Sequence, residues 1–179
     1  MKTILDLPIH PLAVHVPIVL VPALALLVLL YLFIPPIRQR IGWLVTVLAF
    51  LAPAAVYLAM WSGGQLADYY AAASGTDGWS DTIKAHSQWG NRMFWVLIGL
   101  IPAWFLFGAL ERGRRTAAAE AGQTGEGEEA SSPDDPAAKG RRLVMIVVGI
   151  IVLALAGLAG WMVFESGTTG ADMVWENKI

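Results

Sequence analysis

Four stretches of this 179-residue chain contain no Asp, Glu, Lys or Arg: residues 7–37, 41–67, 93–110 and 143–164. A hydrocarbon layer about 30 Å thick is crossed by roughly 20 apolar residues in a helix. Each run is long enough to cross once. None crosses twice, because a turn inside lipid would leave backbone amides and carbonyls unpaired. The expected fold is all-α, an integral membrane four-helix bundle with helices near 14–34, 41–60, 93–110 and 143–164. Composition agrees: 15% of residues are charged, against about 25% in soluble domains.

The links between runs set the topology. Pro35 and Pro36 end the first helix, because neither has an amide hydrogen and the ring obstructs the preceding turn. The short connection that follows makes helices one and two an antiparallel hairpin. Residues 113–140 are rich in Gly, Ser, Glu and Asp and almost free of large apolar side chains. Such a stretch cannot bury enough surface to offset its ordering entropy, so it reads as a disordered loop. The first run is too long for a secretory signal core and reads as a retained helix.

Lys and Arg give the orientation. Eight of them lie in the one–two and three–four links, against four on the opposite side (Lys2, Lys84, Arg92 and Lys178). The positive-inside rule then puts the loop in the cytoplasm and both termini outside. Trp61, Trp79, Trp89, Trp161 and Trp175 gather on the outer side, where indole favours the headgroup layer. A short repeat pairs "SGTDGWSD" at 74–81 with "SGTTGADM" at 166–173 and suggests two pseudo-repeated hairpins.

The chemistry available is narrow. There is no cysteine, which removes disulfides, thiolate catalysis, Cys-ligated iron–sulfur clusters and covalent c-type haem. The net charge of -2 gives no basic face for nucleic acid. No run carries a mid-membrane charge, which argues against a proton pump or ion-coupled transporter. What remains is three histidines, His10, His15 and His86, all expected at the outer ends of the odd-numbered helices. Imidazole is a common metal ligand and an axial ligand of haem.

His15 with His86 is the favoured pair, with His10 as an alternative ligand or hydrogen-bond partner. On one continuous helix His10 and His15 would point about 140° apart. The alternative to haem is a metal site of His10, His15 and His86, with Asp68 as a further donor and Asp77 and Asp81 nearby. The plain reading is histidines that hydrogen-bond carbonyls at a membrane interface. Met60, Met93 and Met162 read chiefly as core, Glu165 as a helix-exit carboxylate, and Asp6 as a partner for Lys84 or Arg92.

The segment "LPIHPLAVHVP" carries a family resemblance. His10, Pro11, Val14, His15 and Pro17 reproduce a His-Pro-x-x-Val-His-x-Pro element. In this the chain resembles the predicted bacterial membrane proteins grouped as domain-of-unknown-function family 2231. His86 looks like the histidine that precedes the third helix there, and Gly64 and Asp68 are similar to a Gly and Asp near the end of helix two. The family's Gly-Gly-x-Leu-x-Tyr type element is absent after the last helix, and "GGQLADYY" occurs after helix two instead. Some members look like fusions to Rieske domains, so the resemblance implies redox work and adds weight to haem b.

Three functions follow as expectations. The first is a b-type haem electron-transfer protein with a histidine site at the outer face and a respiratory or redox membrane partner. The second is a cofactor-free structural or assembly subunit of a membrane complex. The third is a metal-binding membrane protein. All three require contact with the lipid bilayer, and none requires a stand-alone enzyme.

Overall fold

The chain enters through a two-residue antiparallel bracket: β1 (Thr3–Ile4) pairs with β2 (Leu7–Pro8), Thr3 opposite Pro8 and Ile4 opposite Leu7. The computed structural model describes residues 3–4, 7–124 and 136–175. After β2 come α1 (Ile9–Ala13) and α2 (His15–Phe33). Val14 between them stays in the right-handed helical region and donates its amide to the His10 carbonyl at 3.0 Å. The two therefore run on as one rod. A single 3₁₀ turn at Pro35–Ile37 leads into α3 (Arg38–Ala73), followed by α4 (Asp81–Thr124) and α5 (Pro136–Trp175).

Among the described residues, four segments are long and apolar enough to cross a membrane: Ile9–Phe33, Pro35–Ala73, Asp81–Ala119 and Ala138–Met173. This is the make-up of a multi-pass membrane protein. The packed neighbours are α2 with α3, α3 with α4, α4 with α5, and α5 with α2. The four form a ring in which α2 and α4 stand on one diagonal and α3 and α5 on the other. The all-α four-helix bundle read from the charge-free runs is the fold observed.

Buried positions step along each helix by alternating fours and threes. On α2 they are Pro17, Val21, Leu24, Val28 and Tyr31. On α3 they include Val45, Ala49, Ala52, Val56 and Ala59. On α4 they are Met93, Leu97, Leu100, Trp104, Phe107 and Glu111, and on α5 they include Val152, Ala156, Ala159 and Val163. A step averaging 3.5 residues keeps one seam facing the partners and produces left-handed, coiled-coil-like packing. Ala on α3 and α5 lets those backbones come close. The other faces expose Val19, Leu26, Phe50, Leu106, Ile150 and Leu158, an apolar belt suited to lipid.

The helices run beyond the charge-free segments. α3 continues to Ala73, and α4 starts at Asp81, well ahead of the expected 93. The loop expected over 113–140 is also shorter, because α4 stays helical to Thr124 and α5 begins at Pro136. "RRTAAAEA" is rich in strong helix formers, and Glu111 bonds Arg115 one turn on at 3.0 Å. Residues 125–135 of that expected loop lie outside the described residues. Lipid needs only about 20 residues per crossing, but helix propensity does not stop at its surface.

At the α2–α3 corner Arg38 closes the helix end. Its guanidinium donates to the Tyr31 carbonyl at 2.8 Å and the Leu32 carbonyl at 2.7 Å. Those carbonyls belong to the last turn of α2, where helix partners run out and a cation is favoured. Between α3 and α4, Gly75 and Gly78 take positive φ (65° and 123°), which only glycine adopts without strain.

Candidate functional site

His10 and His86 meet at the end of the bundle where α1 and α4 begin. Their ring centroids are 6.3 Å apart and their planes lie at 83°. α2 and α4 are diagonal, so the two rings reach each other across the axis of the bundle. The buried seam explains why these positions converge. Stepping back from Pro17 by three and then four gives Val14 and His10. Stepping back from Met93 by three and then four gives Gly90 and His86. Both histidines continue the inward-facing register of their helices.

Each ring leans on the next helix in the chain. His10 Nδ1 is 3.0 Å from the Ala59 carbonyl and 3.4 Å from Ser62 Oγ on α3. A carbonyl only accepts, so His10 carries its proton on Nδ1. His86 Nδ1 is 3.2 Å from Thr169 Oγ1 on α5. The Thr169 hydroxyl donates to the Glu165 carbonyl at 2.8 Å, so it accepts from the imidazole. The Ser166 backbone also lies in hydrogen-bonding range of that ring. Both imidazoles thus hold the Nδ1–H tautomer. Among the described residues, Nε2 of each makes no hydrogen bond and keeps its lone pair.

A glycine makes room for each ring. A Cβ at Gly63 would come within 2.9 Å of His10 Cε1, and one at Gly170 within 3.2 Å of His86 Cε1. The two halves match residue for residue. Ala59, Ser62 and Gly63 serve His10 as Ser166, Thr169 and Gly170 serve His86. The bundle therefore has a pseudo-twofold axis between the rings. This revises the repeat read from sequence, which set Ser74 against Ser166. Ser74 caps the C-terminus of α3 in an exposed turn, whereas Ser166 lies inside α5, so only the new register superposes like with like.

The structure brings His10, and not His15, to His86. His15 is exposed one position off the seam, with Nδ1 2.7 Å from the Pro11 carbonyl of its own rod. Asp68 accepts from Trp79 Nε1 at 2.8 Å on an exposed face. Asp81 pairs with Lys84 at 3.2 Å. Among the described residues no group of three or more His, Cys, Asp or Glu is placed to share a metal ion. The proposed set of His10, His15, His86 and Asp68 is therefore not assembled. Asp6 lies outside the described residues. Met93 and Met162 are buried in the core cluster, where Met60 packs at its edge.

No family model, curated protein or solved structure matches this chain. What the arrangement can do chemically is read from its own geometry. Metal-bound histidines characteristically donate the other ring N–H to a carbonyl or similar acceptor, which fixes ring and tautomer. Both rings here are held that way. Two ligands on opposite sides of one ion, each at about 2.0–2.1 Å, place imidazole centroids roughly 6 Å apart. The observed spacing suits such a pair.

Haem iron would use the same axial spacing, but the macrocycle also needs a slot. The cavity beside His10, lined by Ile9, Trp61 and Ser62 among others, is about 10 Å³, the room of one water. The notches over Gly63 and Gly170 are filled by the imidazoles themselves. A porphyrin does not fit these residues as they are packed.

The seam step back from buried Pro17 and Met93 selects His10 and His86 over His15. It becomes visible once buried positions fix which of the many apolar residues face inward. The Ser62–Gly63 and Thr169–Gly170 supports carry no comparable sequence signal, because small residues are common in membrane helices.

Proposed function

We propose that this protein binds a single transition-metal ion between Nε2 of His10 and Nε2 of His86, and that it is a metal-handling protein of the bacterial inner membrane. The observation that carries the reading is the 6.3 Å pairing of two rings, each held through Nδ1 and with no hydrogen bond to Nε2 among the described residues. Two protein nitrogens leave coordination positions open, as in sites that exchange or react and unlike closed structural ones. Imidazole suits copper, zinc, iron and nickel, and copper heads the divalent affinity order. The Lys/Arg distribution supports a site on the outer side, with both termini outside. The resemblance to family 2231, which covers His10 and His15 and extends to His86, supports the bacterial setting and a role for histidines at this end.

The test is titration of purified protein in detergent with copper, zinc and nickel, read by elemental analysis and calorimetry. One equivalent should bind, and His10→Ala or His86→Ala should each abolish it while His15→Ala leaves it. Equal loss in the His15 variant, or no metal bound by the parent, sinks the assignment. A Soret band on expression with ample haem would instead restore the electron-transfer reading and require the two hairpins to part around the macrocycle.

A further inference from the structure

The opposite end of the bundle holds a second polar assembly that the histidine site does not use. Glu111 occupies the last seam position of α4 and is 2% exposed. Arg114 and Arg115 bond it at 3.0 Å, and Arg38 stands 3.5 Å away. Seam register again explains the meeting. Arg38 is seven residues before Val45 on α3, so both groups turn inward at the same depth.

Beside this cluster a cavity of about 290 Å³ opens between α3 and α4, walled by Arg38, Arg112 and Arg115 with a single carboxylate, Glu111. Three guanidinium groups against one carboxylate leave an excess of two positive charges on the wall. Glu111 is shared by Arg38, Arg114 and Arg115, whereas Arg112 has no ion-pair partner among the described residues. The rest of the wall includes Trp43 and Phe105, which are 63% and 45% exposed on the outer, lipid-suited side of the bundle. The volume sits at the lower edge of small-ligand sites, about 300 Å³. It holds a headgroup, with hydrocarbon left to lie along the helices.

We propose that this cavity binds the phosphate of an anionic phospholipid, with Arg112 and Arg115 on the phosphate oxygens and the acyl chains against Trp43 and Phe105. Guanidinium is the side chain best matched to phosphate, through paired N–H donors. Basic pockets between membrane helices at the Lys/Arg-rich end attract anionic headgroups. A free phosphate ion would share the chemistry of the arginines but would not use the exposed aromatic wall.

The experiment is native mass spectrometry of the full chain in detergent with phosphatidylglycerol, phosphatidylcholine or inorganic phosphate. The parent should retain phosphatidylglycerol over phosphatidylcholine. Arg112→Gln should weaken retention about fivefold, the worth of roughly one charge contact near a membrane surface. Arg112→Lys should keep much of it. Arg141→Gln, an exposed arginine outside the cavity, should change nothing. Arg112 makes no ion pair among the described residues, so its replacement should leave the fold intact, and helix content by circular dichroism checks this. Equal retention of the two lipids overturns the proposal, as does equal loss in Arg112→Gln and Arg141→Gln. Arg112-dependent binding of inorganic phosphate without phosphatidylglycerol would assign the cavity to a soluble anion and overturn the lipid assignment.

Discussion

The imidazole of His10 rests directly on Gly63, so close that a methyl group there would come within 2.9 Å of Cε1. The ring cannot slide away while Nδ1 stays bonded to the Ala59 carbonyl. Gly63→Ala should therefore tilt His10 off its carbonyl and weaken metal binding about tenfold or more, the loss typical of a disturbed outer partner. Gly170→Ala, at 3.2 Å from His86, should do the same more mildly. Gly157→Ala meets nothing within 4 Å and should be neutral or stabilise by about 0.5–1 kcal/mol. Calorimetric metal titration of the three variants decides the order. A Gly63 variant that binds like the parent would show that the ring is not held as described.

Pseudo-symmetry makes a second prediction. Ser62→Ala and Thr169→Val each remove the hydroxyl beside an Nδ1. His10 retains the Ala59 carbonyl at 3.0 Å, whereas His86 loses its side-chain partner and keeps only the Ser166 backbone. The Thr169 variant should lose more affinity, within the 10–100-fold usual for such partners. Measured dissociation constants for the two variants would show whether the halves differ in this sense.

Glu111→Gln leaves three arginines without their shared carboxylate. Arg38 is 16% exposed at its side chain, whereas Arg114 and Arg115 are 57% and 39% exposed and can return to water. The cost should fall below the full penalty of a stranded buried charge. We expect about 2–3 kcal/mol, in the range of lost charge-assisted hydrogen bonds. Thermal unfolding in detergent should show a clear drop in midpoint, with metal binding at the far end unchanged.

Trp104 donates its indole N–H to Thr46 Oγ1 at 2.9 Å and packs edge-on to Tyr31 at 4.7 Å. Trp104→Phe keeps an aromatic ring in the cluster but drops the hydrogen bond between α3 and α4. A loss of about 1 kcal/mol is expected. A double-mutant cycle with Thr46→Val, read by thermal unfolding, should recover most of that value as coupling.

Ala52 is fully buried on the α3 seam. Ala52→Leu should overpack the bundle at a cost of about 1–3 kcal/mol. Leu at position 51, one step round the same helix, is half exposed, and Leu51→Ala should cost far less. Comparing unfolding midpoints of the two separates seam from lipid face.

The charge-free runs by themselves determined the class of fold, the four helices long and apolar enough to span a membrane, and the corner at Pro35–Pro36. Those features follow from local rules: helix rise, the thickness of hydrocarbon and the missing amide of proline. They did not determine where helices end, because residues 113–124 form helix through their own propensity despite their polarity. Nor did they choose between His10 and His15. In a run where nearly every residue is apolar, hydrophobic contrast cannot mark the inward face. Only packing against neighbouring helices selects the seam that carries His10 and His86 together, puts Arg38 opposite Glu111, and leaves His15 outside. Lipid and protein interior are alike to an apolar side chain, so close approach between helices, through Ala52, Ala59, Gly63 and Gly170, decided what the sequence left open.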